Sequence, residues 1–240
     1  MHSSDILSDI MDVLDDGIQA SISLDGSFSH YPICEYLLQS IFLKITGYQE
    51  QKLKCIMWEL ATYDYSLRYK YLNGSISIGE CSNMEDKNKV LAALIGTLEK
   101  SGHDFYFPDK VSNQAQIRNI IDALQNRFEK SIFSKWLARD FSRFKEFSNS
   151  IEAHEGGYFS SKSCFGSDSI LNDAYEKVFI HRNRCAHNLL SYQSNVPTLQ
   201  ELANDTKGID NYFSRILVLF LIDNIYVQVF NHFYRHVLHR

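Results

Sequence analysis

Proline occurs only 3 times in the 240 residues and glycine only 11 times. With so few breakers, and with apolar residues recurring mostly at three-to-four spacing, the chain reads as nearly all helix. Cysteine is sparse and scattered: Cys34, Cys55, Cys81, Cys164 and Cys185 never form a Cys-x-x-Cys pair. That odd, dispersed set excludes a disulfide framework and a zinc ribbon, and it fits a reducing, cytoplasmic setting. The start, MHSSDILSDIMDVLDD, lacks the basic beginning and apolar core of a signal peptide. The longest uninterrupted apolar run, Ile216 to Ile222, is too short to span a bilayer, so neither export nor membrane contact is expected. There is also no excess of positive charge. Twenty-four Lys and Arg against 29 Asp and Glu leave a formal charge of -5, so any contact with nucleic acid needs a local patch.

What the chain does have is apolar residues, 45% of the total, ample for one large or two small cores. A first helix is expected from Ser4 to Asp16, stopped by Gly17, and a second from Pro32 to Gly47. A third runs through Leu53, Ile56, Met57, Leu60, Leu67 and Tyr71, closed by Asn73-Gly74. A fourth spans Asn83 to Lys100 with Gly102 past its end, and His103 to Lys110 forms a proline-bearing aromatic loop. From Ser112, a candidate N-cap, a helical stripe continues from Ile117 through Phe128 and Trp136 to Phe147, broken near Lys130. The Gly/Ser-rich stretch from Glu155 to Ser169 reads as an exposed loop. Thr198-Leu-Gln-Glu201 reads as a capping box, and a last long helix starts near Asp210. The expected architecture is an all-α helical bundle, with residues 1–105 as an N-terminal helical subdomain and 106–240 as a C-terminal bundle. One continuous domain is the alternative.

Against the acidic background, "VFIHRNRCAHNLLSY", Val178 to Tyr192, gathers His181, Arg182, Arg184 and His187 within seven residues. The stripe Ile170, Leu171, Ala174, Val178 and Cys185 places this group near the C-terminal part of a helix. Asn183 and His187, four apart, share a face, whereas Arg182 lies about 140° round from His187, so the two converge only if the arginine uses its length or a neighbouring chain completes the site, a composite cleft between helices. An imidazole that moves a proton beside a guanidinium that offers paired donors to phosphoryl oxygens suits attack on a phosphodiester. RNA supplies its own nucleophile, the 2′-OH, so neither a metal nor another cofactor is required, and the sequence has no convincing carboxylate cluster for magnesium.

The run Arg182-Asn183-Arg184-Cys185-Ala186-His187 resembles the signature of HEPN-domain proteins, an arginine, a polar residue, several further residues and a histidine. The resemblance covers some fifteen residues locally, and the order of helices extends it over the C-terminal half. It implies a helical bundle with the motif on a late helix, followed by a short helix and a long terminal one. It also implies a homodimeric, metal-independent endoribonuclease that leaves a 2′,3′-cyclic phosphate, the setting being a toxin or antiphage-defence effector. By that resemblance Arg182 holds the phosphate, His187 transfers protons and Asn183 orients the site. Arg184 matches no invariant family position and is carried, with His181, as a candidate substrate contact. The implied partners are RNA, with tRNA and mRNA both open, a second copy of the chain, and an antitoxin or sensor protein. One branch of the family carries a modified tyrosine two residues after the motif histidine. Position 189 here is Leu, and Tyr192 is too far along to take that role.

Other constellations compete. His232, His236 and His239, at i, i+4 and i+7, share a helix face with the spacing for zinc, or they favourably meet the negative end of the last helix. His103-Asp104, with His30, superficially resembles the ligand pair of helical HD-type phosphohydrolases, which makes a metal-dependent phosphohydrolase a third reading. His181-x3-Cys185-x-His187 is a further zinc candidate. Aromatic residues from Phe128 to Phe147, interleaved with Arg127, Lys135, Arg139, Arg143 and Lys145, offer either core packing or a stacking surface for bases. Tyr63, Tyr65, Tyr69 and Tyr71 read as half-buried packing residues. A non-catalytic helical module that binds RNA or protein is the alternative function.

Overall fold

A computed structural model describes residues 2–22, 24, 31–153, 163–166, 169–187 and 209–239, with the backbone alone at Tyr31, Ser169 and His187. Among these residues there are ten α-helices and no strand, an all-α architecture as expected. They are α1 (Ser3–Leu7), α2 (Met11–Ser21), α3 (Tyr31–Tyr63), α4 (Tyr65–Leu72), α5 (Met84–Lys100), α6 (Lys110–Lys130), α7 (Ile132–Trp136), α8 (Ala138–Glu152), α9 (Ser169–His187) and α10 (Tyr212–Phe233), which runs into a π-helical turn, Tyr234–Leu238.

Two helices organise the rest. α10 is buried on nearly all sides, from Phe213 to Phe233, as a helix that is apolar all round must be. It packs against α3, α5, α6, α8 and α9. The apolar stretch Tyr212–Leu238 is long enough to cross a bilayer by length and composition, longer than the uninterrupted run Ile216–Ile222 suggests. In this fold 83% of its most apolar window is buried against the other helices, as in a core helix. The second organiser is α3, which carries inward-facing Leu38, Phe42, Ile45, Leu53, Ile56 and Leu60 and lies against α2, α5, α9 and α10. Helices from residues 1–105 thus share one hydrophobic cluster with those from 106–240.

Local chemistry explains most boundaries. Asn83 caps α5 by accepting from the Asp86 amide at 2.8 Å, and Gly102, at φ +73°, closes its far end. Asp109, not Ser112, caps α6, accepting from the Ser112 amide at 2.7 Å. The long stripe breaks at Ser131, as expected near Lys130, and again at Leu137.

The glycines near the N-terminus act differently from expectation. Gly17 lies inside α2, and a Cβ there would fall 2.3 Å from Ile41 Cγ1, so glycine serves the close approach of α2 to α3 and does not stop the helix. Gly47 lies inside the unbroken α3, where the roughly 1 kcal/mol cost of a mid-helix glycine is outweighed by packing along both sides. α3 ends instead at Asp64, whose carboxylate takes the Ser66 and Leu67 amides at 2.8 and 3.2 Å and starts α4. The capping box at Thr198 to Glu201, His30, Tyr192 and most of the Gly/Ser-rich stretch lie outside the described residues.

Candidate functional site

α9 buries Leu171, Ala174, Tyr175 and Val178, a stripe at three-to-four spacing that fixes which way its last turns face. Continued, that stripe passes through His181 and Cys185. His181 accordingly lies between the rings of Phe42 and Tyr212, with centroids 5.3 and 5.1 Å away, and its Nε2 is 3.5 Å from Cys185 Sγ. Burial, helped by the nearby Arg215 and Arg184 guanidinium groups, pushes its pKa down to about 3. A neutral imidazole in an aromatic slot offers no charge to a phosphate, so His181, expected as a substrate contact, has only a hydrogen bond to give.

Arg182, one position on, turns toward α3. Its Nη2 donates to Glu50 Oε2 at 2.9 Å, and its Nη1 donates to Asn183 Oδ1 at 3.2 Å. The Glu50 side chain is only 11% exposed and that of Arg182 23%, so this pair is shielded yet reachable from solvent. A guanidinium has five N–H donors, and these two bonds leave others for an anion. The structure thus joins Arg182 and Asn183. Arg184 lies half-buried on the same two turns, and α9 ends at His187, whose side chain is outside the described atoms.

Sequence reasoning missed Glu50, which lies 132 residues from Arg182 along the chain. A signal was present: within the inward stripe of α3, Gln49 and Lys52 stand where leucine or isoleucine is the rule, and both are buried. Gln49 donates to the Leu219 carbonyl at 2.8 Å and accepts from the buried Lys87 amine at 2.9 Å. Burial lowers the Lys87 pKa to about 8, and the ring of Tyr175 lies 5.5 Å from its Nζ. Between Arg182, Glu50, Lys87 and Tyr175 is a cavity of about 10 Å³, room for about one water and not for a nucleotide. A group as large as a nucleotide could therefore reach Arg182 only from the solvent side. There it would also meet Glu80, held below the usual carboxylate range first by its hydrogen bond and charge contact with Lys54 and in small part by Arg182.

The rival clusters are placed as follows. His236 stands 4.4 Å from His232 and 5.6 Å from His103, ring to ring. The π-turn carries His239 off that face, and its ring bonds the Tyr234 hydroxyl. Among the described residues no group of three or more His, Cys, Asp or Glu is placed to hold a metal ion. His103-Asp104 lies on the α5–α6 loop. Phe128, Phe133, Phe141, Phe144 and Phe147 are core, while Arg127 pairs with Asp15 and Lys145 with Glu129. Tyr65 and Tyr69, expected to be half-buried, are largely exposed, because the two-turn α4 buries only Leu67. Comparison with known protein families, with characterised proteins and with solved structures finds no match for this chain.

Proposed function

We propose that this chain is a metal-independent endoribonuclease of the HEPN type, working as a homodimer in the cytoplasm as a toxin or antiphage-defence effector. The reading rests above all on Arg182, held by Glu50 and joined to Asn183 on the helix that ends at His187. A carboxylate that fixes one edge of a guanidinium pre-orients the remaining donors, which lowers the cost of grasping a phosphate. In the reaction the 2′-oxygen attacks the adjacent phosphorus, the bond from phosphorus to the 5′-oxygen breaks, and a 2′,3′-cyclic phosphate remains. One His187 removes the 2′-OH proton, and the partner subunit's His187 delivers a proton to the departing 5′-oxygen. Arg182 meets the charge that grows on the phosphoryl oxygens.

The test is incubation of the purified protein with end-labelled RNA in EDTA. Cleavage to cyclic-phosphate ends is expected, falling roughly a hundred- to ten-thousand-fold in His187→Ala. Cleavage that needs added magnesium, or that survives in His187→Ala, overturns the proposal. The same ion pair also favours a second reading, a non-catalytic helical module in which Arg182 and Glu50 are a strut between α9 and α3. Saturable RNA or protein binding without cleavage decides for it.

A further inference from the structure

A second concavity lies one helical turn along α3 from Glu50. Its volume is about 500 Å³, within the range of small-molecule sites. α3 contributes Met57, Trp58 and Ala61, α4 contributes Tyr71 and Leu72, and the segment after α4 contributes Ile78. Trp58 is 67% exposed and Leu72 75%, an unusual expense of large apolar surface unless something covers it.

The wall formed by residues 78–81 is held in place. Tyr71 donates to the Ile78 carbonyl at 3.4 Å, and Ile76 N–H donates to the Lys70 carbonyl at 3.1 Å. Gly79 fits so closely that a Cβ would lie 2.6 Å from Asp86 Oδ2. Cys81 adopts φ +59°, a left-handed conformation that a non-glycine residue keeps only where its surroundings impose it. The groove is therefore preformed, not a gap between loose loops.

Its charge has one sign. Lys54 and Arg68 line it, and no lining residue is acidic. Lys54 is paired with Glu80. Arg68 has its guanidinium 5.7 Å from the Tyr65 ring and, among the described residues, forms no ion pair. An apolar trough with one uncompensated guanidinium is complementary to a ligand with an apolar body and a single negative end. We propose that this groove binds a small, soluble apolar carboxylate, its body against Trp58 and its carboxylate on Arg68. The inference is independent of the nuclease reading.

The test uses decanoate, below its micelle concentration, and the full chain carrying Trp136→Phe, so that Trp58 is the only tryptophan. A saturable blue shift of Trp58 emission is expected, with calorimetry giving the same Kd. Decanol and decyltrimethylammonium should bind at least about tenfold more weakly, because they lose the charge contact. Arg68→Gln should weaken decanoate about tenfold, and Ala61→Phe should abolish binding by filling the groove, both with unchanged far-ultraviolet circular dichroism. The proposal is overturned by a shift that does not saturate, by equal affinity for the cationic analogue, or by Arg68→Gln with undiminished affinity. Co-sedimentation with anionic lipid vesicles that decanoate fails to compete would also overturn it, assigning the groove to a membrane surface.

Discussion

Glu50 and Lys52 stand two positions apart on α3, and each makes an ion pair with a helix of the C-terminal half. Lys52 Nζ donates to both oxygens of Asp223, at 3.1 and 2.9 Å, and to the Ser8 carbonyl at 2.6 Å. Its side chain and that of Asp223 are 4% and 7% exposed. Glu50 meets Arg182 at the same distance of 2.9 Å, but the arginine keeps donors uncommitted and a path to water. The chemistry is alike and the surroundings differ. A sealed, saturated pair can only hold helices in register, whereas a shielded pair with spare donors can also receive a ligand.

The contrast is sharpest when one partner is removed. Asp223→Ala leaves an ammonium stranded in the core, at an expected cost of about 3–5 kcal/mol, read as a lowered urea midpoint. Burial already raises the Asp223 pKa, against the opposing pull of Lys52, so the site is an expensive one for charge. The double variant Lys52→Met with Asp223→Leu should recover most of the loss. Equal destabilisation in single and double variants would show that the pair's geometry, not its charge, is what matters.

Glu50→Ala should cost less, about 1.5–3 kcal/mol, because Arg182 can turn to solvent. If the pair pre-orients Arg182 for a phosphate, RNA affinity falls in this variant as well. A Glu50→Ala protein that loses as much stability as Asp223→Ala would erase the distinction between the two sites.

How much of this could be read along the chain depends on whether the signal is local. Helical class, the α5 caps Asn83 and Gly102, and the break near Lys130 depend on neighbours within a few positions, and they are legible. Gly17 and Gly47 are not, because the sequence marks them as stops while the decisive atom, Ile41 Cγ1 for Gly17, comes from another helix. At the candidate site, Arg182 and Asn183 stand out as local composition. His181 looks like one more cation until the inward stripe of α9 is extended through it. Glu50 has no local mark of function, only the polar run Gln49-Glu50-Gln51-Lys52 within an apolar stripe.

His181 gives a third test, of whether the turn that presents Arg182 is fixed from inside. Its folded-state pKa, about 3, lies below the ordinary value of 6.5, so the unfolded chain binds a proton that the folded chain refuses. Its contribution to stability is therefore complete above pH 6.5 and is lost as pH falls toward 3, by up to about 1.4 kcal/mol per pH unit. Urea unfolding at pH 7 and pH 4.5 should show a smaller acid loss in His181→Leu than in the original protein. Parallel curves would place this imidazole in water.

The smallest effect is expected at the periphery, where Arg127 forms a two-point contact with Asp15 at 2.7 and 3.2 Å between α6 and α2. Both side chains are well exposed, so water screens the charges and competes for the donors. Arg127→Ala should cost under about 1 kcal/mol, and the cost should shrink further in 0.5 M salt. Asp223→Ala should respond little to salt, since counterions do not reach the interior. Salt sensitivity thus ranks the three pairs without reference to function. If the Glu50→Ala loss is as insensitive as that of Asp223→Ala, Arg182 is sealed as well, and a phosphate has no approach to it.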